Sequence, residues 1–290
     1  MSQPPLDSTA VVTVSYNSST QLNGFLRSVR LSEDVKLTVV VADNQSADLD
    51  STAEITRLHG ARLLALSENR GYGGAINAAV ESLPPRFQYV LISNPDVELM
   101  PGAISAMLAE IAGDARVGSV GPRVLNSDGS TYPSGRELPS LRTGIGHALF
   151  ARTWPNNPWT RAYRDDGEGG ETRRTVGWLS GSCLLVRRTA FEELSGFDEG
   201  FFMYFEDVDL GYRLGKAGWK NVYTPEASVV HTGAHSTSTE SGKMVRAHHD
   251  SAYRYLEKKY SAPYLAPVRW ALKLGLAVRA RVLARTGRLG

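Results

Sequence analysis

The chain carries a single cysteine, Cys183, among 290 residues, so no internal disulfide can form and stability must come from a packed core. It also lacks any apolar run near the roughly eighteen residues that a membrane-spanning helix needs. Residues 1–9 are polar and contain proline, without the charged-then-apolar layout of a signal peptide, and read as a flexible N-terminus. An excess of one charge is missing too: 32 Lys and Arg against 30 Asp and Glu leave +2, too little to imply nucleic acid. No internal repeat is present. These absences point to a cytoplasmic protein that can still meet the inner face of a membrane.

What is present is a regular alternation. Apolar, β-branched runs at 10–15, 37–42, 62–66, 89–93 and 117–120 are separated by helical spacing at 20–30, 48–58, about 72–82, and from Pro101 onward. Continuous apolar strands separated by helices predict an α/β domain, a mostly parallel twisted sheet with helices on both faces. Residues 126–175, rich in Gly, Pro, Arg and Trp, read as an irregular excursion. Beyond it the pattern predicts a strand at 182–186, helices at 189–194 and 205–217, and short strands at 221–223 and 228–231. From Lys243 the chain is helical and basic, with eight Lys or Arg and no acid from 258 to 290. The expected division is 10–121, 122–240 and a C-terminal region 241–290.

In parallel sheets, ligands bind at the carboxyl ends of the strands. Four ends here are polar: Ser15-Tyr16-Asn17, Asp43-Asn44, Glu68-Asn69-Arg70 and Asn94-Pro95-Asp96. Asp96 can hold a hard cation such as Mg2+ or Mn2+ against a diphosphate, and equally can cap the helix at Pro101. Asp43 can accept from a base N–H or a ribose hydroxyl, or form a plain turn. Asn69-Arg70-Gly71-Tyr72-Gly73-Gly74 joins strand to helix, where glycines permit close approach and the helix N-terminus favours an anion. Glu206, Asp207 and Asp209 follow five apolar or aromatic residues, an environment that raises a carboxyl pKa toward general-base use. His231 ends a strand and suits a structural role, a metal or a phosphate.

These segments together resemble the inverting family 2 glycosyltransferases with the GT-A fold, rhamnosyltransferase branch. The resemblance rests on Val-Ser-Tyr-Asn at 14–17, Asp43-Asn44-Gln-Ser46, Glu68 to Gly74 with Asn77, Asn94-Pro-Asp96, Trp178 to Ser182, and above all Gly196 to Arg213. It implies that Asp43 binds a pyrimidine with Ser15 and Asn17 nearby, and that Asn44, Arg70, Gly71, Asn77 and Asn94 line the nucleotide-sugar site. Asp96 stands in the family's Asp-x-Asp position, its first acid replaced by Asn94. His231, 24 residues after Asp207, would complete the metal shell. Asp207 matches the catalytic base, with Glu206 the alternative. The implied partners are dTDP-L-rhamnose and a lipid-linked polyprenyl-diphosphate acceptor, while membrane contact and a homodimer stay open. Galactofuranose, glucose or mannose as donor sugar, and a nucleotide-sugar-binding protein without catalysis, are the competing readings. A nucleotidyltransferase would need a Gly-rich loop after the first strand, where Ser-Tyr-Asn-Ser-Ser stands instead.

Overall fold

A computed structural model describes residues 6–33, 37–140, 171–233, 241–270 and 273–275. Most of the excursion expected at 126–175 therefore lies outside the described residues, as do 1–5 and 276–290.

Strand β1 (Thr9–Ser15) is buried along its whole length, as a central strand covered on both faces must be. It lies between β2 (Thr38–Asp43) and β4 (Tyr89–Ser93), parallel to both, and β3 (Arg62–Ala65) extends β2 in parallel. The period-two alternation of each strand feeds two separate cores. Val11, Val41 and Leu91 point into one, with α1 (Ser19–Ser32) and α4 (Ala103–Gly113). Ala10, Val12, Val40 and Ile92 point into the other, with α3 (Gly71–Glu81). In α1 the buried Leu22, Phe25, Leu26 and Val29 follow helical spacing and form its inward stripe. Helix α2 (Leu49–Leu58) joins the first core through Ile55.

The second half of the sheet departs from simple alternation. Its order is β3-β2-β1-β4-β11-β6-β12-β5. Strand β11 (Cys183–Arg187) inserts antiparallel between β4 and β6 (Val117–Leu125). Strand β6 thus runs five residues past the expected 117–120. The two short strands expected at 221–223 and 228–231 are one strand, β12 (Lys220–His231), paired parallel with β6. Its register shifts between Thr224 and Ser228, where Pro225 offers no N–H to the ladder.

A short strand that the pattern does not announce, β5 (Val97–Leu99), pairs antiparallel with the end of β12. Strands β7 (Thr131–Tyr132) and β9 (Arg174–Val176) pair with β6 and β12. Strands β8 (Gly135–Arg136) and β10 (Trp178–Leu179) form a small antiparallel pair beside the main sheet. Helices α5 (Arg188–Glu193) and α6 (Glu206–Lys216) cover the same face as α3. Helix α7 (Ser241–Lys259) docks through Tyr255, which is fully buried against Phe201 and Val208.

Candidate active site

The tips of β1 and β2 are laced together by polar side chains. The Asn17 side-chain carbonyl accepts from Ala47 N–H at 2.7 Å, and Asn17 N–H donates to Ser46 Oγ at 3.1 Å. Ser15 is fully buried, its hydroxyl beside those of Ser18 and Thr52 at 3.2 and 3.4 Å. The Ser15 side chain therefore lies inside the fold at the tip of β1. These links fix Asp43. Its Oδ1 accepts from Ser46 N–H at 2.9 Å, while its buried Oδ2 has no hydrogen-bond partner among the described residues. An orphaned carboxylate oxygen at a strand tip is costly unless a ligand N–H or O–H completes it.

Asn44 is spent on the next loop. Its Nδ2 donates to Asn69 Oδ1 and the Gly71 carbonyl, and its Oδ1 accepts from Arg70 N–H. Asn77 clamps residues 197–199 to α3: its amide bonds the Phe197 carbonyl, Phe197 N–H and Glu199. Both asparagines, expected as ligand contacts, here brace loops through protein hydrogen bonds. Arg70 donates to both oxygens of Glu199, at 3.0 and 2.9 Å, so a phosphate would have to take the place of that carboxylate. The first two N–H groups of α3 also have protein partners, Asn69 Oδ1 and the Phe202 carbonyl. Gly71 is required for another reason: at φ +70°, an added Cβ would lie 2.3 Å from the Phe202 carbonyl oxygen.

Strand β5 decides the role of Asp96. It follows Asp96 directly, and α4 starts only at Ala103, so the helix-cap reading is excluded. Because Val97 is in register with His231, the two side chains meet: Asp96 Oδ1 and His231 Nε2 are 3.1 Å apart. Thr232 holds the Asp96 carbonyl through its N–H and its hydroxyl, both at 3.0 Å.

The turn Ser180-Gly181-Ser182 joins this corner to the acids of α6. Asn94 N–H donates to the Ser182 carbonyl at 2.8 Å, and Gly181 N–H donates to Asp207 Oδ2 at 2.9 Å. Asp207 Oδ1 accepts from Val208 N–H. Burial raises the pKa of Asp207, but these N–H donors favour its charged form. Glu206 has no comparable support from its neighbours. Burial, then the adjacent Asp207 charge, push it up to about 8, and its Oε2 is a buried orphan. The two neighbours thus differ in what acts beside burial: N–H donors that oppose it at Asp207, and a like charge that adds to it at Glu206. Asp209 differs again: fully buried, it pairs with Arg213 at 2.6 Å and Lys258 at 2.5 Å and is structural.

Tyr72 gathers the parts. Its hydroxyl donates to the Gly181 carbonyl at 2.7 Å. Its pKa is raised well above the usual value, first by burial, then by the charges of Glu206 and Asp207, with smaller effects from Cys183 and Asp96. Tyr72 thus lies within electrostatic reach of both Asp96 and Asp207. Tyr72 and Gly181, like Glu199, were not singled out as site residues from the sequence, although each lies in a quoted motif. Cys183, buried and pushed up to about 12, is no nucleophile.

The sequence profile of Glycosyl transferase family 2 matches residues 10–195, and that of Glycosyl transferase family group 2 matches 161–272. The chain belongs to glycosyl transferase family 2. It is 44% identical over 285 residues, 95% of its length and 92% of the relative's, to the N-acetylglucosaminyl-diphospho-decaprenol L-rhamnosyltransferase of Mycobacterium tuberculosis. It is 28% identical to the rhamnosyltransferase WbbL of Escherichia coli K12, over 65% of this chain and 71% of that one. A mannosyltransferase from Pyrobaculum calidifontis, solved with GDP-Man and Mn2+, shares the fold at a TM-score of 0.60 and 17% identity. That match covers 99% of this chain and 78% of the other. The family 2 assignment makes this chain a glycosyltransferase and its fold GT-A.

Proposed function

We propose that this glycosyltransferase moves L-rhamnose from dTDP-L-rhamnose to the 3-OH of N-acetylglucosamine on a polyprenyl diphosphate, with inversion at the anomeric carbon. The observation that carries this reading is the 44% identity to the decaprenol-linked rhamnosyltransferase across nearly the whole of both chains. The geometry supports it. The orphaned Asp43 Oδ2 suits the N–H of a pyrimidine base. Asp207, oriented by Gly181 and Val208, takes the proton from the acceptor hydroxyl as that oxygen attacks the anomeric carbon. The nucleoside diphosphate leaves from the opposite side, so a β-linked donor gives an α-rhamnoside.

Asp96 and His231 would hold a divalent cation, Mg2+ or Mn2+. They fit one: a carboxylate oxygen and an imidazole nitrogen already lie 3.1 Å apart at the strand tips. Among the described residues no third ligating side chain joins them, as expected where donor phosphates complete the shell. Bound there, the cation would offset charge on the departing diphosphate.

The test is incubation of pure enzyme with a panel of nucleotide sugars and a short-chain polyprenyl-diphosphate N-acetylglucosamine, with and without chelator. A product heavier by one deoxyhexose, formed from dTDP-L-rhamnose and suppressed by chelator, is expected. A different added sugar would overturn the donor, and transfer unaffected by chelator would overturn the metal.

A further inference from the structure

We infer that Arg136 is the receptor for the diphosphate group of the acceptor, a contact that rests on the acceptor proposed above. Arg136 lies on β8, opposite Trp178 of β10. Strand β10 leads straight into the turn whose Gly181 N–H holds Asp207. Helix α6 packs on the same strand so closely that a Cβ on Gly211 would sit 2.6 Å from Trp178 Cβ. The small β8–β10 pair is thus built onto the helix that carries the base.

The guanidinium lies near the rings of Tyr132 and Trp178, 5.4 and 5.9 Å from their centroids. Its Nε donates to the Pro133 carbonyl at 2.9 Å. That bond and the rings hold the group in place, and neither Nη has a hydrogen-bond partner among the described residues. No carboxylate there forms an ion pair with it, whereas Arg70, Arg173, Arg188, Arg213 and Arg254 each have one. A half-buried guanidinium braced at Nε and open at its Nη edge is suited to the oxygens of a phosphate.

Position selects which phosphate. The donor diphosphate belongs at the tips of β3 and β4, near Arg70 and Asp96. The positive charge of Arg136 is felt by Asp207, where it opposes the effect of burial. The acceptor presents its 3-OH to that carboxylate, and its own diphosphate leaves the anomeric carbon of the same sugar ring. Arg136 pairs with Trp178, which packs on the helix of Asp207 and leads through Leu179 and Ser180 to Gly181, so the guanidinium belongs to the strand pair and turn that position the base, the side on which the acceptor diphosphate is placed here.

The experiment compares two acceptors, the short-chain polyprenyl-diphosphate N-acetylglucosamine and a phosphate-free alkyl N-acetylglucosaminide, with wild type, Arg136→Gln and Arg136→Lys. Loss of a charge-assisted contact should raise the KM for the diphosphate acceptor by about tenfold to a hundredfold in Arg136→Gln. The KM values for the donor and for the phosphate-free acceptor should stay unchanged, and Arg136→Lys should recover part of the loss. Equal weakening toward both acceptors, or no weakening toward either, would overturn the assignment and leave Arg136 a structural brace. If wild type fails to use the diphosphate acceptor, the proposed function falls on its own. Calorimetric titration of that acceptor onto wild type and Arg136→Gln, each saturated with dTDP, then decides the arginine: equal affinity or no binding overturns the contact.

Discussion

Asp207 and Glu206 are neighbours in sequence, yet their surroundings give them opposite duties. Asp207 has two N–H donors and is the proposed base; Glu206 has burial and a like charge beside it. Asp207→Asn should lower transfer by roughly 10²–10⁴-fold while dTDP-sugar binding, followed by calorimetry, is retained. Activity in wild type should fall as pH drops through the raised Asp207 value. Glu206 makes a different prediction, about stability. Its folded value, about 8, lies above the ordinary 4.5, so the folded state holds the proton more tightly. The stability this adds is complete below about 4.5 and is lost as pH rises through about 8. Thermal melts of Glu206→Gln against wild type should therefore diverge between those limits, the variant losing less as pH rises. A constant difference from pH 5 to 9 would show that Glu206 is not protonated in the fold. The sequence marked both acids through the aromatic run before them. It could not mark Ser15, Asn44 and Asn77 as braces, because their partners lie up to 120 residues away and only the fold introduces them.

Among the elements, β1 and β4 were legible as continuous buried runs and α1 through its spaced apolar stripe, while β3, with both ends exposed, was legible only from its apolar sequence. Strand β5 was not: three residues with one exposed glutamate carry too little pattern, and the strand exists only because β12 ends alongside it. Yet β5 is what brings Asp96 to His231. The sequence also did not show that the basic C-terminal helix packs on the acidic segment before α6. In α7, Lys258 bridges Asp198 at 2.8 Å and the fully buried Asp209 at 2.5 Å, and Arg254 pairs with Asp198. Ser251 donates to the Met203 carbonyl. These contacts grip the segment 198–205, which contains Tyr204 and Phe205 at positive φ and leads into Asp207. Lys258→Met should leave Asp209 to Arg213 alone and cost about 2 kcal/mol, read as a fall in Tm. Because the loosened segment carries the base, kcat should fall while the donor KM holds, and Lys258→Arg should restore much of both. A Tm loss with unchanged kcat would separate α7 from the site.

At the scale of the molecule, one sheet gathers polar groups at its strand tips, and the acceptor proposed above is lipid-linked, so the C-terminal segment is the place to ask how the chain would reach it. No helix among the described residues is long and apolar enough to cross a membrane. Beyond α7, however, Tyr264, Trp270 and Leu274 are 81%, 73% and 54% exposed. Trp270 and Leu274 are four apart, and Pro267 is exposed three before Trp270, the spacing of a single helical face. Large apolar groups left in water on a segment without an acid from 258 to 290 fit the headgroup region of an anionic bilayer, where tryptophan and tyrosine are favoured. Not all the basic charge is available for that surface. Lys258 is held by Asp198 and Asp209, Lys259 donates to the Pro139 carbonyl, and Arg269 donates to the carbonyls of Tyr260 and Ala262. Binding should therefore depend more on the apolar face than on charge number. In flotation with phosphatidylglycerol-containing vesicles, wild type should bind, and the double variant Trp270→Ala, Leu274→Ala should lose most of that binding. Raising salt should weaken wild-type binding only in part, since apolar burial is not screened. The double variant should keep its kcat toward a short-chain acceptor in solution and lose rate toward a long-chain acceptor embedded in vesicles. Equal flotation of wild type and variant would show that this face meets something other than lipid, and concentration-dependent sedimentation would then identify a second copy of the chain as its partner.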